Sequence, residues 1–306
     1  MIVNGYAYPS VAEASLDWWL ARLTWLSTFS YGLKGDGSLI GLDDERLIAA
    51  ADSKGVRPLM VLAPMDAEGR FSEEEAAKVF RDPAAQKRLL ENICRNIRDK
   101  GMGGIDFDFE YISAANAQSY AALVAAAHQC LSPWGYLTTV ALSPKTSDDQ
   151  QGTIYEGHDY AALGRAADYC LLMTYEWGYA YGPPMAIAPL PNVRKVVEYA
   201  VSRIPAEKLL LGLNNYAYDW ALPQQEGERA QTLTLPQALE RAARYGARAV
   251  FDEQARAPFF EYTDESGRAH IVWFENEQSW RERAALVTEY GLAGVGVWNI
   301  SQPFAG

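Results

Sequence analysis

Residues 103–111 read GGIDFDFEY. Asp106, Asp108 and Glu110 stand two apart, with Ile105, Phe107 and Phe109 beside them. Alternation of period two marks a strand, whose successive side chains point to opposite faces. The three acids therefore share one face and the three apolar residues the other. Like charges side by side are costly, and more so on a buried face. Packing offers no reason for such a row, so the reason has to be chemical.

Outward from this strand, seven further short apolar runs have strand character: IVNGYAY, LTWLSTFSY, RPLMVLA, YLTTVALS, YCLLMTY, KLLLGLN and AGVGVWNI. Amphipathic segments separate them, among them DDERLIAAADSKG, SYAALVAAAHQCL, PNVRKVVEYAVSR and SWRERAALVTEYG. One helix is punctuated at both ends, with Asp82 as N-cap, Pro83 in the first helical position and Gly101 as terminator. About eight β-then-α units predict an α/β fold, a (β/α)8 TIM barrel. A doubly wound open sheet is the alternative, but no Gly-rich phosphate loop follows the first strand. Residues 248–274, RAVFDEQARAPFFEYTDESGRAHIVWF, break the alternation and read as short strands turning at Ser266-Gly267. They predict a small β-rich insertion between the seventh and eighth barrel strands, walling one side of the cleft.

The chain has 306 residues, 49% of them hydrophobic, enough to bury a large core. No Ser/Gly linker, charge block or low-complexity tract marks a boundary, so residues 1–306 are expected to form one domain. A net charge of -12 argues against nucleic acid and anionic membranes as partners. Cys94, Cys130 and Cys170 lie in the apolar runs NICRNI, HQCL and DYCLLM and read as reduced packing thiols. The first residues, MIVNGYAYPS, carry no basic stretch followed by a long apolar one, so no signal peptide is expected. No apolar run approaches a membrane span.

Chemistry in such barrels sits at the C-terminal strand ends. Here the fourth strand ends in Asp108 and Glu110, and the sixth in Tyr175, Glu176 and Trp177. The seventh ends in Asn214 and Tyr216, the eighth in Trp298 and Asn299. Acids ringed by aromatics suit a sugar, whose flat apolar faces stack on rings while carboxylates and amides meet its hydroxyls. Any single aromatic here has an equally ordinary explanation as core. Trp18 and Trp19 read as helix packing, Glu73, Glu74 and Glu75 as a solvated helix N-terminus. His128, His158 and His270 read as structural or surface residues.

Two chemistries could use the acid row. A Mg²⁺ or Ca²⁺ site needs several oxygens, but carboxylates on one strand point the same way and cannot surround an ion. In acid catalysis of glycosyl transfer, Glu110, farthest along the strand, is the proton donor, its pKa raised by neighbouring charge. Asp108 is that charged neighbour and shares a proton with Asp106, so the cluster titrates as a unit. A carboxylate nucleophile would have to face the acid from roughly 5–5.5 Å across the sugar. Asp108 stands beside Glu110 instead, and Glu176 is the one candidate opposite. A substrate that brings its own nucleophile, a 2-acetamido group, removes the difficulty.

GGIDFDFEY resembles the DGxDxDxE signature of glycoside hydrolase family 18, the chitinase-like barrels. VNGYAYP, STFSYGLKGDGSL, VALSPK, the 155–190 segment containing MTYEWGYAYGPP, YAYDWALP and HIVWFENEQSW are similar to one branch of it. That branch is the spore-germination cortical-fragment-lytic N-acetylglucosaminidases, and the similarity runs from first strand to last. It implies Glu110 as general acid/base, Asp108 orienting the acetamido group, Asp106 holding the proton partner of Asp108, and Tyr175 bonding the acetamido carbonyl. It implies Trp298 as floor of the subsite for the cleaved sugar, Tyr216 and Tyr6 as cleft residues, and Met173 and Glu176 as flanking motif positions. Trp177 and Asn214 complete the expected substrate-binding set.

The implied activity is hydrolysis of β-1,4 bonds after N-acetylglucosamine in peptidoglycan, most plainly spore cortex fragments, with no metal or organic cofactor. The implied partner is an N-acetylglucosamine-containing glycan, and a monomer is expected. Cytoplasmic synthesis with deposition in the spore coat or cortex is the expected localisation. A chitinase, another endo-N-acetylglucosaminidase, and a sugar-binding barrel without catalysis are the alternatives. Two departures stand out. Gly103 replaces the first Asp of the signature, and the peptidoglycan-binding LysM repeats of that branch do not precede the first strand. Muramic lactam, uncharged and abundant in cortex, would suit an acidic enzyme better than muramic acid.

Overall fold

The computed structural model describes residues 1–65, 69 and 71–304. In chain order the strands are β1 (Ile2–Ala7), β2 (Trp25–Leu33), β3 (Leu39–Ile40), β4 (Arg57–Leu62), β5 (Gly104–Phe107), β6 (Leu137–Leu142) and β7 (Tyr169–Leu172). They continue as β8 (Leu209–Asn214), β9 (Ala217–Leu222), β10 (Gln231–Leu233), β11 (Val250–Asp252), β12 (Ala257–Thr263), β13 (Ala269–Trp273) and β14 (Gly294–Trp298). The parallel order β1-β14-β8-β7-β6-β5-β4-β2 closes on itself through the β1–β2 pairing. The result is an eight-stranded (β/α)8 barrel, and each expected strand supplies one stave. The short β3 adds only an antiparallel hairpin to β2.

The helix over Pro83–Lys100 has the expected ends. Asp82 accepts from the Ala84 N–H at 2.8 Å, and Gly101 leaves the helix with φ 69°. That left-handed turn suits glycine, which has no Cβ to clash. Close approach explains Gly104 at the start of β5: a Cβ there would lie 2.2 Å from the Leu137 carbonyl oxygen on the neighbouring strand. At Gly103 a Cβ would fall 2.2 Å from Cγ of Arg57. The arginine stem fills the space that a signature Asp would take, at the end of the strand remote from Glu110.

Ile105 and Phe107 on the outer face of β5, and Phe109 just beyond its end, are fully buried under helices, with Phe109 stacked on Tyr120 at 5.1 Å. The opposite face points into the barrel, where Tyr6, Trp25, Phe29, Leu59, Val61, Leu171 and Leu210 form a separate core. Burial of this kind contributes about 25 cal/mol per Å² of apolar surface. It holds the strand rigidly enough to keep the acid row in register.

The insertion begins earlier than 248–274. Its sheet has the antiparallel order β10-β9-β13-β12-β11, so its first strand starts at Ala217, directly after β8. The run YAYDWAL reads locally as more of the seventh barrel strand; its pairing with β13 is invisible to local pattern. This sheet and the helix Leu235–Arg244 share a small core of their own. Trp220 Nε1 donates to the Gly182 carbonyl at 3.0 Å, tying the insertion to the loop that carries Glu176.

The cysteines also differ from expectation. Cys170 is buried, but Cys94 is only partly so and Cys130 is exposed, and their sulfurs face each other at 2.8 Å on neighbouring helices. Both sit on outer helix faces, where an apolar local sequence does not ensure burial. Trp19 is buried as expected for helix packing. Among the described residues no helix is long and apolar enough to cross a membrane.

Candidate active site

Asp106, Asp108 and Glu110 line up on the inner face of β5 and its continuation, with exposure rising along the row. Asp106 is 1% exposed, Asp108 6%, and Glu110 is partly open to the cleft. Both Asp106 oxygens are engaged: Tyr6 donates its hydroxyl to Oδ2 and Thr139 to Oδ1, each at 2.6 Å. Burial raises the Asp106 pKa, and these two hydroxyls pull it back. No hydrogen bond links Asp106 to Asp108 among the described residues, so the expected shared proton is replaced by a pair of fixed hydroxyl donors. Thr139 sits opposite Asp106 in the β5–β6 register, which brings its hydroxyl within reach.

Asp108 is the unsatisfied member. Its Oδ1 is buried and has no hydrogen-bond partner. Burial, then the charges of Glu110 and Asp106, push its pKa well above the carboxylate range. Asp108 and Glu110 therefore titrate as a coupled pair, each acid disfavouring ionisation of the other. Glu110 is itself raised to about 7, by burial first and then by the charge of Glu176. Glu176 arrives from the end of β7. It accepts hydrogen bonds from the hydroxyls of Tyr216 and Tyr218, the latter at 3.0 Å. Loss of hydration raises Glu176, and the two tyrosines lower it again.

The backbone bends sharply around both glutamates. Tyr111, after Glu110, and Glu176 itself have φ of 58° and 67°. A non-glycine left-handed residue costs roughly 1–2 kcal/mol, and such residues gather at functional sites. His158 steadies the approach to Glu110. Its Nδ1 accepts from the Ser143 N–H at 2.8 Å and its Nε2–H donates to the Phe109 carbonyl at 2.9 Å. Burial drives its pKa to about 4, so the ring is neutral and keeps this tautomer.

Two cavities flank Glu176. One of about 120 Å³ is bounded by Glu110, Tyr155, Met173, Tyr175 and Trp177. The other, of about 370 Å³, is bounded by Tyr8, Tyr216, Tyr218 and Trp298. Trp298 is braced edge-on by Tyr6, Tyr8 and Phe29, with centroids 4.7–5.8 Å away. Tyr175 is 9% exposed, and burial followed by the charges of Asp108 and Glu110 keeps its hydroxyl protonated. A separate cavity of about 670 Å³ near Cys94 on the outer helices contains none of these groups.

Of the expected residues, Glu110, Tyr175, Glu176, Met173, Trp177, Tyr216 and Trp298 line the two cavities. Asp108 and Asp106 lie buried behind Glu110, and two others do not line the cleft either. Tyr6 is 3% exposed and acts below the surface, on Asp106. Asn214 is 1% exposed, its Nδ2 turned to the Tyr216 carbonyl at 3.3 Å, because it still belongs to β8 and points into the barrel. Tyr8, Tyr155 and Tyr218 were not expected. Tyr8 shares the parity of Tyr6 in NGYAYP and Tyr218 that of Tyr216 in YAYDW, so period two could have found both. Glu73 and Glu75 also do more than face solvent. Glu73 accepts from the Ser113 N–H and from Asn116, and Glu75 from the Gly35 N–H, fastening their helix to nearby loops. Among the described residues no three His, Cys, Asp or Glu side chains gather as a metal site would require.

The pH dependence follows from these groups. Glu110 donates a proton only below about 7, so turnover should fall as pH rises through that value. Glu176→Gln removes a negative neighbour, which lowers the Glu110 pKa. The alkaline limb of kcat/KM should then move to lower pH, and an unmoved limb would show that Glu176 does not set it.

A cluster of carboxyls at the strand ends of a (β/α)8 barrel, ringed by aromatics, is the build of a barrel glycoside hydrolase. The chain belongs to Glycosyl hydrolases family 18, whose model matches residues 66–302. It is 37% identical over 283 residues to the cortical fragment-lytic enzyme of Bacillus subtilis, covering 92% of this chain and 65% of that protein. The chain thus spans a little under two thirds of that relative's length. The crystal structure of the Bacillus cereus spore cortex-lytic enzyme SleL superimposes with a TM-score of 0.94 at 33% identity, covering 99% of this chain and 71% of that one. A chitinase from Chromobacterium violaceum superimposes with a TM-score of 0.90 at 26% identity, covering 98% and 94%.

Proposed function

We propose that this chain is a retaining, substrate-assisted N-acetylglucosaminidase that hydrolyses the β-1,4 bond following N-acetylglucosamine in spore cortex peptidoglycan. The observation that carries this reading is the buried Asp108 Oδ1 with no partner, one residue along the same face from an acid raised to about 7. A buried acceptor without a donor is costly, and the acetamido N–H of a bound sugar is the donor it lacks. Similarity to the cortical fragment-lytic enzyme and to SleL supports cortex as the glycan.

The groups divide the work as follows. Trp298 stacks under the N-acetylglucosamine ring. Glu110 protonates the oxygen of the leaving sugar. The acetamido carbonyl oxygen attacks the anomeric carbon from the opposite face, closing an oxazolinium ring. Asp108 accepts the acetamido N–H as positive charge develops, while the Tyr175 hydroxyl donates to the acetamido oxygen and orients it. Water then opens the ring, with Glu110 as general base, and the configuration is retained.

Digestion of cortex fragments, vegetative peptidoglycan and chitin oligomers, followed by mass spectrometry, tests the proposal. New N-acetylglucosamine reducing ends from cortex are expected. Cleavage of chitin alone would overturn the choice of substrate and favour a chitinase.

A further inference from the structure

The larger cavity, of about 370 Å³, is bordered by Trp298 on one side and by Arg229, Thr232 and Gln237 of the insertion on another. Glu110 borders the smaller cavity and not this one. Trp298, under the N-acetylglucosamine, borders the larger cavity, and Glu110, which faces the leaving sugar, does not; the larger cavity therefore runs from the cleaved sugar to its glycone side, where the preceding sugar would sit. Its walls suit a sugar ring, with Tyr8 and Tyr218 as aromatic surfaces and Thr232, Gln237 and Asn299 as neutral polar groups.

One positive charge borders this space, Arg229. It is exposed, and it donates to the neutral Thr232 hydroxyl at 3.1 Å. Four other arginines of the insertion have carboxylate partners. Arg241 pairs with Asp219, Arg244 with Glu265, Arg256 with Glu282 and Arg268 with Glu228. Among the described residues no carboxylate takes the Arg229 fork. A guanidinium presents five donors, so most of its capacity remains open at the cavity rim. Burial raises the pKa values of Glu176 and Tyr218, and the charge of Arg229 pulls both back slightly, which sets it within electrostatic reach of Glu176.

We propose that this cavity is a subsite for an acidic amino sugar and that Arg229 binds the carboxylate that the sugar carries. The inference rests on the peptidoglycan reading above. In a glycan that alternates N-acetylglucosamine with muramic acid, the sugar preceding the cleaved residue bears a lactyl ether. Its carboxyl is free, amide-linked to a peptide with carboxylates of its own, or closed into a neutral lactam. The chain carries a net charge of -12, and Glu110 and Glu176 border the cleft, so an anionic substituent meets a repulsive field. Arg229 offsets that field at one point and makes a carboxylate there a recognition element. Muramic lactam is then tolerated at this subsite without being what the subsite reads.

The test compares four tetrasaccharides whose glycone-side sugar is, in turn, muramic acid with a free lactyl group, muramic acid with a peptide, muramic lactam, and N-acetylglucosamine. The readout is kcat/KM for wild type, Arg229→Gln and Arg229→Lys. Arg229→Gln should lower the ratio of carboxylate-bearing to lactam substrate by about tenfold, as loss of a charge-assisted hydrogen bond predicts, chiefly through KM. Arg229→Lys should restore part of it, and added salt should narrow the wild-type preference. A loss confined to the free lactyl substrate assigns the carboxylate to the lactyl group; a loss confined to the peptide-bearing one assigns it to the peptide. If wild type cleaves the muramic substrates and Arg229→Gln leaves the ratio unchanged, this inference is wrong while the peptidoglycan reading stands. If wild type cleaves only the N-acetylglucosamine tetramer, both fall.

Discussion

Glu110→Gln should lower kcat by about 10²–10⁴-fold, the usual contribution of a positioned general acid, with KM nearly unchanged. Glutamine keeps the shape and the polar contacts of the side chain but has no proton to give to a departing alkoxide. The loss should depend on the leaving group. A natural sugar leaves as a poor alkoxide and needs the full proton, whereas an aryl glycoside with an acidic phenol leaves with little help in the first step. Steady-state rates on a cortex oligosaccharide and on an aryl N-acetylglucosaminide separate these cases. A variant within tenfold of wild type on the oligosaccharide would remove Glu110 from the mechanism. The alkaline limb near pH 7 should vanish with the carboxyl, because Glu110 is the group raised to about 7 by burial and by Glu176. The same shift bears on stability. A carboxyl with a folded pKa above its ordinary value of 4.5 stabilises the fold below that value, and the contribution is lost as pH rises through 7.

How much of this was legible in the sequence depends on the range of the interaction. Alternation in GGIDFDFEY is local, and it placed the acids inside and Phe107 and Phe109 outside correctly. The Asp82-Pro83 start and Gly101 stop are local too, and the helix has those ends. What is not local was missed. Tyr6 lies 100 residues from Asp106, and no pattern within β1 says that its hydroxyl turns down to a carboxylate instead of up to a ligand. Thr139 left a faint signal, a polar residue in the strand LTTVAL. Two contributors to the Glu110 shift left no local signal, namely burial, the larger, and Glu176, which comes from another strand. The insertion began 31 residues before its expected start, at Ala217 and not at 248, since β9 finds its partner β13 only in three dimensions. Arg229 sits in a turn with no pattern of its own, and only the cavity gives it meaning.

Asp108→Asn should cost about 10²–10³-fold in kcat, the scale for removing one group that stabilises transition-state charge. The argument rests on what Asp108 faces. Its Oδ1 is buried and unpartnered, and its pKa is held high by burial and by the acids on either side. An incoming acetamido N–H supplies the missing donor, and positive charge on the forming oxazolinium ring favours the ionised carboxylate. Asparagine can still accept the hydrogen bond but cannot answer the charge, so the loss should fall on kcat more than on KM. A thiazoline analogue of the bicyclic intermediate gives an independent reading, because the analogue occupies the position of the charged ring without needing a proton from Glu110. Its affinity should drop for Asp108→Asn by nearly the factor lost in kcat/KM, as expected when a group acts on the transition state. Glu110→Gln should bind it almost as wild type does. The opposite pattern, with thiazoline affinity lost at Glu110 and kept at Asp108, would mean that the enzyme and not the substrate supplies the nucleophile, and Glu176 would become the carboxylate to test.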